Sequence, residues 1–151
     1  MRRVLLLLAG VLLLAACAPT RPVFPPAASV QEIRALPDGR WRVILRLQNY
    51  ALRSLRFSAV DLALTVGAQP AGRLQKPIDL DIAETSSDVV ELTLVPGASA
   101  RAALAADRSG NIAYSLAGSV QAGPTAGDQR RFRIAHHGYL SPVPGLPGAW
   151  R

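Results

Sequence analysis

Cysteine, aspartate and histidine are the residues of this chain that could do chemistry, and only the cysteine stands at a spacing that chemistry uses. Cys17 is the single thiol among 151 residues. It follows Leu14, Ala15 and Ala16, of which the two alanines supply the small side chains that a signal peptidase pocket accepts, with the apolar run Val4 to Leu13 and the cations Arg2 and Arg3 ahead of it. Cleavage before Cys17 would place a thiol and a new amino group on that one residue. Asp79 and Asp81, two apart on a strand, share a face and raise a carboxylate pair or a cation site, yet no third and fourth oxygen ligand follows at a loop spacing. His136 and His137 are adjacent, so on a strand they point to opposite faces and cannot chelate one ion without a bulge at Gly138. No Gly-x-Ser-x-Gly elbow, phosphate loop or Cys/His set is present. The expectation is a chain with no catalytic residue, no metal ligand and no cofactor beyond a covalent lipid on Cys17.

Leu14-Ala15-Ala16-Cys17 resembles the bacterial lipobox, which implies that Cys17 begins the mature protein and carries acyl chains of the palmitate class on its thiol and its new amino group. The apolar run is shorter than the ~20 residues that span a bilayer. It leads into Pro19, Pro22, Pro25 and Pro26 and not into a basic stop-transfer cluster. Acyl chains contribute ~0.8 kcal/mol per buried methylene, and more than one chain makes a stable anchor. Ala18 stands where an aspartate would resemble the inner-membrane retention signal. In a Gram-negative host the resemblance therefore implies the periplasmic face of the outer membrane.

The elements that must carry this anchor divide the chain into four parts. Residues 1–16 read as the signal peptide and 17–28 as a lipidated cysteine with a Pro/Ala-rich tether, rising ~3.1 Å per residue where it takes polyproline II. Residues 29–140 read as one domain, and 141–151 as a Pro/Gly-rich tail. Of the seventeen basic residues sixteen are arginine, and without Arg2 and Arg3 fifteen face ten acidic residues. They are scattered, with no tract of the kind that binds nucleic acid. Arg40, Arg42 and Arg46 alternate with apolar residues and share a strand face, either a solvated face or a stripe toward anionic headgroups. With its one thiol taken by lipid, the domain must be held by packing alone.

Period-two alternation dominates the domain. Trp41, Val43, Leu45 and Leu47 form one dry face, with Trp41 read as core. Val60 to Val66, Ile78 to Ile82, Val90 to Leu94, Ile112 to Val120 and Phe132 to Ile134 repeat the pattern. Breakers are read at Pro37-Asp38-Gly39, Gly67 to Pro70, Gly72, Ser86-Ser87-Asp88, Ser109-Gly110-Asn111 and Gly123 to Asp128. About seven short strands at this spacing predict a mainly β fold, an antiparallel β-sandwich of the immunoglobulin or fibronectin type III kind. Ala98 to Asp107, rich in alanine and stopped by Gly110, predicts one short α-helix against a sheet edge or over a sandwich end.

The order of these elements is similar to the late embryogenesis abundant type 2 family, also called the WHy domain. Val43-Ile-Leu-Arg-Leu-Gln-Asn-Tyr50 resembles the family strand that ends in an Asn-Pro-Asn-like turn. Leu55 to Gly72 resembles the next hairpin, Tyr114-Ser-Leu-Ala-Gly118 its Tyr-x-Leu-x-Gly strand, and Phe132 to Leu140 its closing strand. Tyr50 and Ala51 depart from the usual Pro-Asn after Asn49, so that turn must use other dihedrals. The resemblance implies a non-enzymatic role in protecting membranes or client proteins during drying and stress, and brings no binding residue with it. Two rivals remain open: an adaptor or assembly subunit of an envelope complex, and a carrier of an apolar ligand between the sheets. The tail carries the candidate partner-binding residues Leu146 and Trp150, and reads either as frayed or as docking on a partner or back on the sandwich. Oligomeric state is not legible.

Overall fold

The computed structural model describes residues 24–107 and 109–151. The readings on residues 1–16 and Cys17, and most of the tether, lie outside the described residues. Eight strands and one helix follow in order: β1 (Ala27–Ala35), β2 (Trp41–Gln48), β3 (Leu55–Val66), β4 (Gln69–Ile82), β5 (Ser87–Leu94), α1 (Ala98–Ala106), β6 (Ile112–Gly123), β7 (Arg130–Leu140) and β8 (Ala149–Trp150). They form two four-stranded sheets, β5-β2-β1-β8 and β4-β3-β6-β7, paired antiparallel throughout. The predicted mainly β sandwich with one helix is what the chain forms.

Alternation drives the closure. Trp41, Val43, Leu45 and Leu47 of β2 and Leu62, Leu64 and Val66 of β3 are all buried, and meet Ile33, Leu74, Leu116, Val120 and Ile134 in one core. Helix α1 caps one end: Ala100 and Leu104, four apart, are its buried residues. Gly67 in the β3–β4 turn shows why that turn is tight, since a Cβ there would lie 3.1 Å from both Ala103 and Ile112, and its φ of +56° favours glycine.

Four boundaries differ from the sequence reading. Gly72 does not break the chain, because β4 runs through it and through Pro70 and Pro77. The strand is at the sheet edge and its pairing shifts register at Phe57/Ala59 and Leu64/Thr65, so missing N–H donors are tolerated there. Ser87 and Asp88, read as breakers, open β5, where they pair with Gln48 and Leu47. The sandwich also extends past 29–140 at both ends, with β1 beginning at Ala27 and β8 at Ala149.

The chain reaches the sandwich at the start of β1, where Ala27 pairs with Gln48 at the end of β2. The connections 49–54, 83–86 and 124–129 lie at this proximal end, and α1 with its flanking loops lies at the distal one.

Candidate functional site

The proximal end is built around Asn49. Its side chain is fully buried. The amide donates to the carbonyls of Arg53 (2.8 Å), Ile82 (3.1 Å) and Ala83 (2.9 Å), and Oδ1 accepts from the Ala51 N–H at 2.9 Å. The Asn49 N–H donates to Ser86 O, and the Thr85 N–H to Ala51 O. One side chain thus ties the β2–β3 connection to the β4–β5 connection and satisfies the buried Ile82 carbonyl and Ala51 N–H. Ala51 is buried at 2%, whereas Tyr50 and Leu52 on either side are 53% and 68% exposed. The loop is held fast while two apolar side chains are kept in solvent. Sequence reading noticed Asn49 only through the turn that departs from Pro-Asn; its partners at 82 and 83 are remote.

The outer sheet faces are charged but largely paired. Of the Arg40, Arg42 and Arg46 stripe, Arg40 bonds Asp38 at 2.6 Å, Arg42 meets Glu91 at 3.0 Å, and Arg46 Nε donates to the Ser87 hydroxyl at 3.1 Å. Asp79 is held by Arg56 at 2.6 Å. Among the described residues no group of three or more His, Cys, Asp or Glu could hold a metal ion. Arg73 hydrogen-bonds both oxygens of Asp61, at 2.5 and 2.8 Å, which holds that carboxyl below its usual range. On the same face Arg131 and Arg133 flank an open cleft of about 570 Å³ floored by Ala117, Gly118 and Ser119.

The tail folds back. Ala149 and Trp150 pair with Arg34 and Ile33, and Pro142 bridges Trp150. Trp150 is half-buried against the core, while Leu146 stays 38% exposed. The clamp is Glu32, a residue only 3% exposed, which receives Arg34 at 3.0 Å and both Nε and Nη2 of Arg151 at 2.8 Å. The two candidate partner-binding residues therefore differ in access, since Trp150 is occupied by its own fold.

His136 and His137 point to opposite sides. His137 is exposed, and half-buried His136 brings Nε2 within 3.1 Å of the Tyr114 hydroxyl. That hydroxyl also accepts the Val30 N–H at 3.1 Å. With one lone pair of the hydroxyl used by Val30, its remaining O–H and lone pair are left to the contact with His136 Nε2. Tyr114→Phe strands the buried Val30 N–H, and is expected to cost about 1–3 kcal/mol in urea unfolding. Burial pushes the Tyr114 phenol above its ordinary 10.0. Stability from this group is thus complete below pH 10 and falls as pH rises through the raised value, a slope that Tyr114→Phe should remove.

No family model matches the chain, and no curated protein matches it. Solved structures do. The solution structure of AT1g01470 from Arabidopsis thaliana superposes with a TM-score of 0.60 at 13% identity, covering 88% of this chain and 93% of that one. What the two share is the fold. Two further structures are more distant: a protein from Archaeoglobus fulgidus (TM-score 0.47, 8% identity, 81% of this chain and 98% of that one) and "a putative late embryogenesis abundant (LEA) protein", At2g46140.1 (0.45, 17%, 89% and 75%).

Proposed function

We propose that this chain is a lipid-anchored envelope protein whose late embryogenesis abundant type 2-like sandwich works without turnover, by stoichiometric contact with membrane or client proteins during drying and stress. The observation that carries it is the placement of Cys17, directly behind Leu14-Ala15-Ala16 and ten residues ahead of β1. The agreement between the element order of the resemblance and the two-sheet fold with its single capping helix supports the domain assignment. The site of action is the periplasmic face of the outer membrane of a Gram-negative host.

Two measurements test this. Mass spectrometry of the native protein should find Cys17 as the acylated first residue, and Cys17→Ser should move the chain out of the membrane fraction. The domain's melting temperature should be unchanged, because the described fold lies wholly downstream of residue 17. An unacylated, freely soluble wild type would overturn the anchor. An anchored protein whose deletion leaves survival of drying unaltered would overturn the protective role.

A further inference from the structure

We propose that the seam between β1 and β7 at the proximal end binds the phosphate of a membrane phospholipid headgroup, with Tyr50 and Leu52 seated in the interfacial layer beside it. This deepens the membrane-contact reading and rests on it for the direction in which the domain faces.

The seam is an open cleft of about 240 Å³, with Ser29, Arg46, Gln48, Tyr50 and His136 in its lining. Its origin is the β-bulge between Val30 and Glu32, together with the shortness of β8. Among the described residues β8 pairs with β1 only at Ile33 and Arg34, and the Val30 N–H turns to Tyr114, so the start of β1 borders a gap beside β7. The donors suit a phosphate. Arg46 has no carboxylate within ion-pair distance among the described residues, and its one hydrogen bond there, through Nε to Ser87, leaves its terminal amino groups uncommitted. His136, with Nε2 engaged by Tyr114, stands in the same lining. Ser29 adds a hydroxyl. An arginine fork with neutral donors beside it is the chemistry that recognises a phosphodiester.

The occupant follows from three features. Tyr50 stands on the rim of the cleft and Leu52 two residues on, both exposed on the loop that Asn49 holds rigid. Tyrosine and leucine next to a cationic donor are what an interfacial layer takes up. Phe24, itself 51% exposed, lies seven residues from Cys17, a stretch that reaches at most ~3.6 Å per residue, so an acylated Cys17 keeps this end within about 25 Å of the bilayer. Glu84, Asp88 and Asp128 lie at the same end, so diffuse attraction of a basic face to anionic lipid is not what holds it. Recognition is local to the cleft and the apolar pair.

The test couples the thiol of Cys17, in the chain beginning at that residue, to a maleimide-bearing lipid, reproducing the tether whether or not cells acylate it. An environment-sensitive fluorescent amino acid replaces Leu52 in one sample. In the other it replaces Val95, which is 73% exposed and follows Leu94 at the distal end. On phosphatidylethanolamine/phosphatidylglycerol vesicles the probe at 52 should shift to the blue and be quenched by brominated acyl chains, and the probe at 95 should not. Arg46→Gln should lower the inserted-to-free ratio about tenfold, the worth of one charge-assisted hydrogen bond. Vesicles of phosphate-free galactosyl diacylglycerol should fail to draw the loop in. A probe at 52 that stays in water, or that responds equally to phosphate-free vesicles, overturns the proposal. Because the coupling is chemical, absence of acylation in cells would sink the anchor reading alone.

Discussion

Asn49→Ala should lower the unfolding free energy by about 3–5 kcal/mol. The change leaves the carbonyls of Arg53, Ile82 and Ala83 and the N–H of Ala51 without the side-chain partners that lie 2.8 to 3.1 Å away. Each stranded buried group costs ~1–3 kcal/mol, and the bonds to the Ile82 carbonyl and from the Ala51 N–H are both buried. Urea titration should show a lower midpoint with little change in slope. Asn49→Asp separates hydrogen bonding from packing. It keeps the shape but aims a carboxylate at three carbonyl oxygens, so it should be as damaging at neutral pH and recover in part in acid. If Asp is tolerated at neutral pH, the pin does not work through its donors. The same variants should free the 49–54 loop and so weaken insertion of Tyr50 and Leu52.

The second large effect is at Gly118, where β6 passes β3. A Cβ there would sit 2.2 Å from the carbonyl oxygen of Asp61 and 3.0 Å from Cα of Leu62, and the residue's φ of +152° is one that side chains rarely adopt. Both obstacles are backbone, in the middle of a paired ladder between two core strands, and neither can swing away. Gly118→Ala should therefore cost about 3–5 kcal/mol, from overpacking and backbone strain together. Gly127→Ala is the matched control. A Cβ at Gly127 meets nothing within 4 Å, so that change should be close to neutral. Thermal unfolding of the pair decides the matter, and equal melting temperatures would show that the strands do not approach as closely as described.

Where local patterning governs, the sequence was readable. Trp41, Val43, Leu45 and Leu47 alternate without interruption, and all four are buried. The alanine run of α1 needed only its own propensity and a stop. β1 escaped because its inward residues are Ala28, Val30 and then Ile33, a change of parity imposed by the bulge at Val30/Glu32 that defeats a period-two search. β4 was cut at Gly72 because glycine and proline are read as punctuation, yet on an edge strand their missing donors and side chains are tolerated. β8, two residues long, has no pattern to read and is held by partners elsewhere.

The candidate site divides in the same way. The dry face of each long strand and the place of the helix are determined by residues adjacent in the chain, so the sequence alone determined them. Tertiary structure decided which strands share a sheet. It also brought Asn49 to Ile82, Val30 to Tyr114 and Glu32 to Arg151, across separations of 33, 84 and 119 residues. Such contacts leave no periodic trace, because they depend on the geometry by which one sheet closes over the other.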